Sequence, residues 1–266
     1  MSMRAKFLRE VASAGLPSGP PPTDPLIEAD VEALPATVQR YLRHMGVLGR
    51  PRDWSFRGHF TGRFRPGIDK PWLACETQQY NTRLEISRIF HIRVRFVGFV
   101  PVLARDTYVR GRGRMLVRLV DLFTLADATG PELDIGELVT YLNDAVLMAP
   151  SLLLGPETRW TAVDDASFDV ALTDGGRTVS ARVFLDERGA PVDFSTTDRF
   201  CEDPANPKGP MLRTRWTTPM QGWRRVEGRL LPTRGEAIWH LPSGPHPYAE
   251  FDLAPESLRY NLRPGE

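Results

Sequence analysis

The sequence is poor in the features that mark most specialised chemistries. It has two cysteines, Cys75 and Cys201, too few for a disulfide framework and without the CxxC spacing of a zinc or redox site. They allow one bridge at most. Lysine occurs only at positions 6, 70 and 208, although Lys and Arg together number 34, and we read this bias as genome composition rather than phosphate chemistry. No apolar run reaches the length of a membrane span, and residues 1–30 hold no signal-type hydrophobic stretch. A soluble, cytoplasmic protein without stable membrane insertion is expected. The histidines at 44, 59, 91, 240 and 246 show neither HxH nor HExxH spacing, so no metal site is expected. There is no G-x-S-x-G elbow and no P-loop. Gly111-Arg112-Gly113 lacks the third glycine and following helix of a dinucleotide site, and no cofactor is expected. The net charge of +1 gives no global attraction to nucleic acid.

What is present is strand periodicity. Trp54, Phe56, Gly58, Phe60, Gly62 and Phe64 alternate with Ser55, Arg57, His59, Thr61, Arg63 and Arg65, which predicts a strand with one apolar face. Further strands are expected at 71–80, 83–90, 91–99, 102–110 and 112–120, then at 168–172, 178–185 and 192–200. A last group falls at 211–218, 221–227, 235–241 and 248–262. Hairpin turns are expected at Asp174-Gly175-Gly176 and Asp186-Glu187-Arg188-Gly189. Strands this closely spaced leave no room for crossovers, so the sheet should be antiparallel. The fold class is mainly β (α+β): a large curled antiparallel sheet, or half-barrel, wrapped around a central helix, with an N-terminal helix at 28–46. Residues 1–25, dense in proline, are expected to form a flexible segment before a single domain at 26–266.

The central helix is predicted at 134–149, with Asp134 as N-cap, Glu137 as its capping-box partner and Pro150 as the stop. Ile135, Leu138, Leu142 and Val146 share an apolar face, and Glu137, Tyr141 and Asp144 form a polar stripe. That stripe faces either water or a cavity. In a cavity, two carboxylates and a phenol suit acid–base chemistry once burial shifts their pKa values. Asp106 and Tyr108 share one face of a strand and make a second acid–phenol pair, with Arg105 and Arg110 opposite. Trp160, Arg199, Trp216, Trp239 and Tyr248 are candidate ligand-binding residues, the aromatics for an apolar pocket and Arg199 as a carboxylate clamp. Charge is uneven: nine arginines lie between Arg83 and Arg118, and ten carboxylates between Asp121 and Asp169. The two groups are solvated or pair with one another, or else the arginines line a groove for an anionic head group.

Leu34-Pro35…Val38…Arg40-Tyr41-Leu42-Arg43, Ala104-Arg105-Asp106…Tyr108…Gly111…Gly113, Glu132-Leu133…Gly136-Glu137-Leu138…Tyr141-Leu142 and Trp160…Val163-Asp164-Asp165 together resemble a bacterial family of uncharacterised proteins. Asp174-Gly175…Val179, Asp198-Arg199, Gly235-Glu236-Ala237…Trp239 and Pro247-Tyr248 continue the resemblance, which covers about residues 30–262. That family is catalogued only as a domain of unknown function. The resemblance implies a curled sheet similar to the lipoprotein-carrier (Lol-type) architecture, which binds acyl chains. It supplies no catalytic residues, and many relatives carry N-terminal membrane helices that this chain does not show.

Three functions follow as expectations. The first is binding of an apolar or amphiphilic small molecule, lipid-like or polyketide-like, between sheet and helix. The second is a cofactor-independent isomerase, cyclase or hydrolase using Asp106, Tyr108, Glu137, Tyr141 and Asp144. The third is a protein-interaction module using the Arg83–Arg118 face. Nucleic acid is not an expected partner, and nothing in the sequence specifies an oligomeric state.

Overall fold

The computed structural model describes residues 2–21, 24–96, 100–206 and 209–266. Its centre is helix α3 (Pro131–Met148), and the sheet is wrapped around it. The N-terminal half supplies a meander: β1 (Ser55–Phe64), β2 (Leu73–Thr82), β3 (Ser87–Phe96), β4 (Val100–Val109), β5 (Arg112–Leu119) and β6 (Phe123–Thr129). After α3 come β7 (Thr158–Asp164), β8 (Ser167–Asp174), β9 (Arg177–Leu185), β10 (Pro191–Cys201) and β11 (Leu212–Thr217). Short β12 (Met220–Gln221), β13 (Arg224–Val226) and β14 (Arg229–Leu231) lead to the long hairpin β15 (Arg234–Leu241) and β16 (Gly244–Leu253), with β17 (Arg259–Tyr260) last. Among the described residues the main path runs β6-β5-β4-β3-β2-β1-β16-β15-β11-β10-β9-β8-β7, and every pairing along it is antiparallel.

The two halves meet where the late strand β16 returns to the first strand β1. At Gly62 that approach is so close that a Cβ would sit 2.0 Å from the carbonyl oxygen of Glu250, so only glycine fits there. Helix α3 touches β3, β4, β5 and β6 from one half and β9 and β10 from the other, which is the expected curl of a large sheet around a central helix. Residues 134–148 of the helix are almost all buried, on the polar stripe as well as on the apolar face. Leu138, Val139, Leu142 and Val146 join Phe56, Phe60, Phe168 and Phe194 in one core. Burial of each such side chain contributes about 1.5–3 kcal/mol.

The structure corrects the expected helix start. α3 begins at Pro131, not Asp134: Gly130 is the N-cap, and Pro131, which needs no N–H partner, takes the first helical position. Asp134 is therefore free for tertiary contact. It is buried, accepts the Gly113 N–H at 2.7 Å and pairs with Arg177 at 2.6 Å and Arg112 at 3.2 Å, tying the helix to both halves of the sheet. A Cβ on Gly113 would stand 2.3 Å from the Leu133 carbonyl, so glycine lets the helix settle onto β5.

The expected strands at 83–90 and 91–99 are one strand, β3, entered through a turn at 83–86; the expected residues 97–99 lie outside the described set. Strands β6 and β7 lie outside the expected set, because neither has a side whose residues are buried and so neither carries the alternation of a half-buried strand. The N-terminal helix expected at 28–46 is shorter: α2 (Ala36–His44), preceded by a single turn at Glu28–Asp30. Met3–Ser13 form helix α1, whose Phe7 and Val11 bury themselves with Tyr80 and Ile89 on the outer face of β2 and β3. Cys75 and Cys201 are both free.

Candidate functional site

Strand register defines what the inner face offers. Asn81, Arg88, Tyr108 and Gly113 are successive cross-strand partners on β2 to β5, and Asn81 reaches the helix, so their face is the one turned towards α3. Period two then puts Gln79, Phe90, Ile92, Val94, Phe96, Val102, Ala104 and Asp106 on that face.

Its centre is a buried cluster of charge. Arg88 donates to Asp144 at 2.7 Å and to Glu137 at 3.0 Å, and its guanidinium stacks 4.5 Å over the Phe90 ring. Gln79 donates to the same Asp144 oxygen at 2.5 Å, with Asn81 at 3.4 Å. Glu137 and Asp144 converge because seven residues are nearly two helical turns. Tyr141 sits about 60° round the helix from Asp144 and leaves the cluster. Asp106 completes it from β4: its Oδ1 is shut off from solvent and accepts no hydrogen bond.

The electrostatics follow from three carboxylates, Asp106, Glu137 and Asp144, around two guanidinium groups, Arg88 and Arg199. Burial, the charge of Asp106 and that of Asp144 push Glu137 up to about 7 against the pull of Arg88 and Arg199. Asp106 and Asp144 are raised for the same first reason, burial, with Arg88 opposing. Burial alone would weaken the charge on Arg88, but Asp144, Glu137 and Asp106 hold it protonated. Near neutral pH the cluster therefore holds a mobile proton.

A second wall comes from the C-terminal strands. Arg199 on β10 donates to the Gly136 carbonyl at 2.7 Å and to the Thr140 hydroxyl, so part of the expected carboxylate clamp is spent on the helix. Its guanidinium lies 4.6 Å from the Trp216 ring and 5.3 Å from that of Trp239. Trp239 stacks on Tyr248 at 5.6 Å, and Trp216 donates to the Tyr248 hydroxyl at 3.2 Å. The Arg199 Nε is buried without a partner. Burial raises the Tyr248 hydroxyl above its usual range, and Arg199, which opposes that rise, connects this aromatic group electrostatically to Glu137 and Asp106.

Of the candidate residues, the structure thus brings together Asp106, Glu137 and Asp144 on one side and Arg199, Trp216, Trp239 and Tyr248 on the other. Three stand elsewhere. Tyr108 shares the face of Asp106 but donates to Asp174 at 2.7 Å, at the end of β8. The Tyr141 hydroxyl, buried without a hydrogen-bond partner, is turned away from the cluster, towards the charges of Arg83 and Glu157. Trp160 packs against Tyr41 and Phe168 beneath α2. Glu137 is no capping partner, since the helix starts too early. Arg88, Gln79 and Asn81 escaped the sequence reading. Their signal was polar residues at same-face positions of adjoining strands, which marks an inner site only once that face is known to look inward.

The uneven charge resolves mainly by pairing. Arg105 and Arg118 meet Asp121, Arg114 meets Asp127, and Arg88 and Arg112 meet the acids of α3. No group of three metal-type side chains occurs among the described residues. Nor does any helix there have the length and apolarity to cross a membrane.

A curled antiparallel sheet around a buried helix with a charged inner face is the class of protein that these features define. By its sequence the chain belongs to DUF6544, a family of unknown function whose model matches residues 25–251. No curated protein matches it significantly. Among solved structures it is similar to a DUF1329 family protein from Desulfovibrio piger, at 13% identity and TM-score 0.44 over 90% of this chain and 95% of that one. It is similar also to a LolA superfamily protein from Nitrosomonas europaea, at 14% identity and TM-score 0.41 over 85% and 94%. A third is a putative outer membrane lipoprotein-sorting protein domain from Vibrio parahaemolyticus, at 11% identity and TM-score 0.42 over 79% and 87%.

Proposed function

We propose that the protein binds an amphiphilic small molecule, lipid-like or polyketide-like, along the inner face of β3 to β6, with its polar end at the Arg88 cluster. The carrying observation is a gradient along that face. At one end stands the charged group of Arg88, Glu137 and Asp106. Next comes an apolar cluster of Phe90, Ile92, Val94 and Cys75, flanked by Phe64 and Phe251. Beyond it the same face continues to Phe96, Val100 and Phe123, which α3 does not cover and which are 45%, 43% and 64% exposed. Exposed apolar side chains grouped at the rim of a concave sheet favour an apolar guest. The unpartnered oxygen of Asp106 and nitrogen of Arg199 favour a guest that carries its own donors and acceptors.

Displacement of a fluorescent fatty acid from the purified protein tests this. Saturable binding that V100R and F123R abolish, with the fold intact by circular dichroism, is the expected result. Absence of binding by the unmodified protein to fatty acids, lysolipids and polyketide-like aromatics alike overturns it.

A second reading, cofactor-independent acid–base catalysis on the same molecule, is favoured by one observation: Glu137 is held near 7, where it can both take and give a proton. Asp106 would act as its partner. If a substrate is found and E137Q and D106N both turn it over at the original rate, the catalytic reading is wrong while the binding reading stands.

A further inference from the structure

On the outer face, away from the helix and from the proposed amphiphile site, a cavity of about 440 Å³ is lined by Arg4, Arg57, His59, Gln78, Ser257 and Arg259. Its make-up is unusual because Arg57 on β1 lies directly opposite Arg259 on β17. Like charges at directly opposed positions repel across about 5 Å, and a sheet holds them so only at a cost. Arg4 adds a third guanidinium from the first turn of α1, the end of a helix where backbone N–H groups carry partial positive charge. Among the described residues that line the cavity none is a carboxylate. Glu266 and the Tyr80 phenol only partly offset these cations at Arg57.

The lining is also short of acceptors. Arg259 turns to the carbonyls of Glu256, at 2.6 Å, and Leu258, at 2.9 Å. Arg57 has no such outlet: its Nη1 is sealed from solvent and donates to nothing. Burial first, then Arg4 and Arg259, hold its guanidinium below the usual arginine range. Buried donors without acceptors are rare in folded proteins, and one beside two further cations asks for an anion.

We infer that this outer cavity is a binding site for a phosphate-class anion, clasped by Arg57, Arg259 and Arg4 with the Gln78 amide and His59 at its edge. Planar guanidinium groups from three elements suit the several oxygens of a phosphoryl group, whether free or on a lipid head. An occupant would remove the Arg57–Arg259 repulsion and join α1, β1 and β17, so binding should also fasten the N-terminal helix to the sheet.

Titration calorimetry of the full chain with inorganic phosphate, at low chloride, tests the site. One saturable site is expected, weakened about tenfold or more in R57Q and in R4Q, since each loses a charge-assisted hydrogen bond. Arg4 is exposed on its helix, so R4Q keeps the test valid should R57Q unfold. Co-sedimentation with phosphatidylcholine vesicles carrying phosphatidic acid separates the sources: pelleting lost in R4Q identifies a lipid head group, and phosphate binding without pelleting identifies a free anion. Neither binding nor pelleting, or binding that both variants leave unchanged, overturns the inference. Fatty-acid displacement should be the same in R4Q as in the unmodified protein, which keeps this site distinct from the inner one.

Discussion

Two of the buried ion clusters in this fold are built differently. In one, Asp53 accepts two hydrogen bonds from Arg229, at 2.7 and 2.8 Å, and a third from Ser151 at 2.7 Å, while Arg229 lies 3.7 Å over the Tyr260 ring. One acid meets one base with a bidentate fork, and both oxygens of the acid are used. In the other, Arg88 is shared between Glu137 and Asp144 with Asp106 close by, and an Asp106 oxygen has no partner. The first cluster is complete and pins the segment before β1 to the turn after α3 and to β14. The second holds one carboxylate more than its two guanidinium groups, Arg88 and Arg199, can neutralise, and so retains a proton. Structural pairs close their own valences; a site keeps something open.

Breaking each cluster should give different signatures. The largest effect is expected from D53N, which leaves Arg229 with a neutral partner in a buried setting. Its loss of stability should be about 3–5 kcal/mol, as for a buried pair deprived of one charge. Urea denaturation at several pH values measures it, and an effect below about 1 kcal/mol would mean that the pair is solvated. R88M should cost somewhat less, about 2–4 kcal/mol at pH 8, because methionine fills much of the stem volume but abandons three acids. That cost should shrink as pH falls and the acids take up protons. A pH-independent loss in R88M would remove the distinction between the clusters.

The architecture was legible in the sequence because it depends on short-range patterns. The alternation from Trp54 to Phe64, the Asp- and Gly-containing turns at 174–176 and 186–189 and the absence of crossover lengths fixed an antiparallel sheet, and Pro150 marked the helix end. The site was only half legible. Period 3.6 grouped Glu137, Tyr141 and Asp144, but a helix wrapped on all sides sends neighbouring side chains to different strands, so Tyr141 went one way and the acids another. Capping chemistry offered Asp134 and Glu137 a local role that Pro131 had already made unnecessary. Arg88 was hidden for the converse reason: nothing near it in sequence explains it, since its partners lie 49 and 56 residues away on α3.

The finest test lies in one proton. Burial and its acidic neighbours push Glu137 up to about 7 from its ordinary 4.5, so the folded state binds a proton more tightly than the unfolded chain does. Its contribution to stability is therefore fully present below about pH 4.5 and is lost as pH rises through about 7. Asp106 and Asp144, also raised, act in the same direction. The protein should lose stability between pH 5 and 8, on the order of 1–3 kcal/mol. In E137Q, where a neutral amide replaces the protonated acid and can still accept from Arg88, that slope should flatten. At pH 8 the variant should equal or exceed the unmodified protein by about 1 kcal/mol, whereas at pH 5 the two should coincide. If instead E137Q is the less stable protein at pH 8 and keeps the full slope, Glu137 is an ordinary ionised partner of Arg88, and the mobile proton belongs to Asp106.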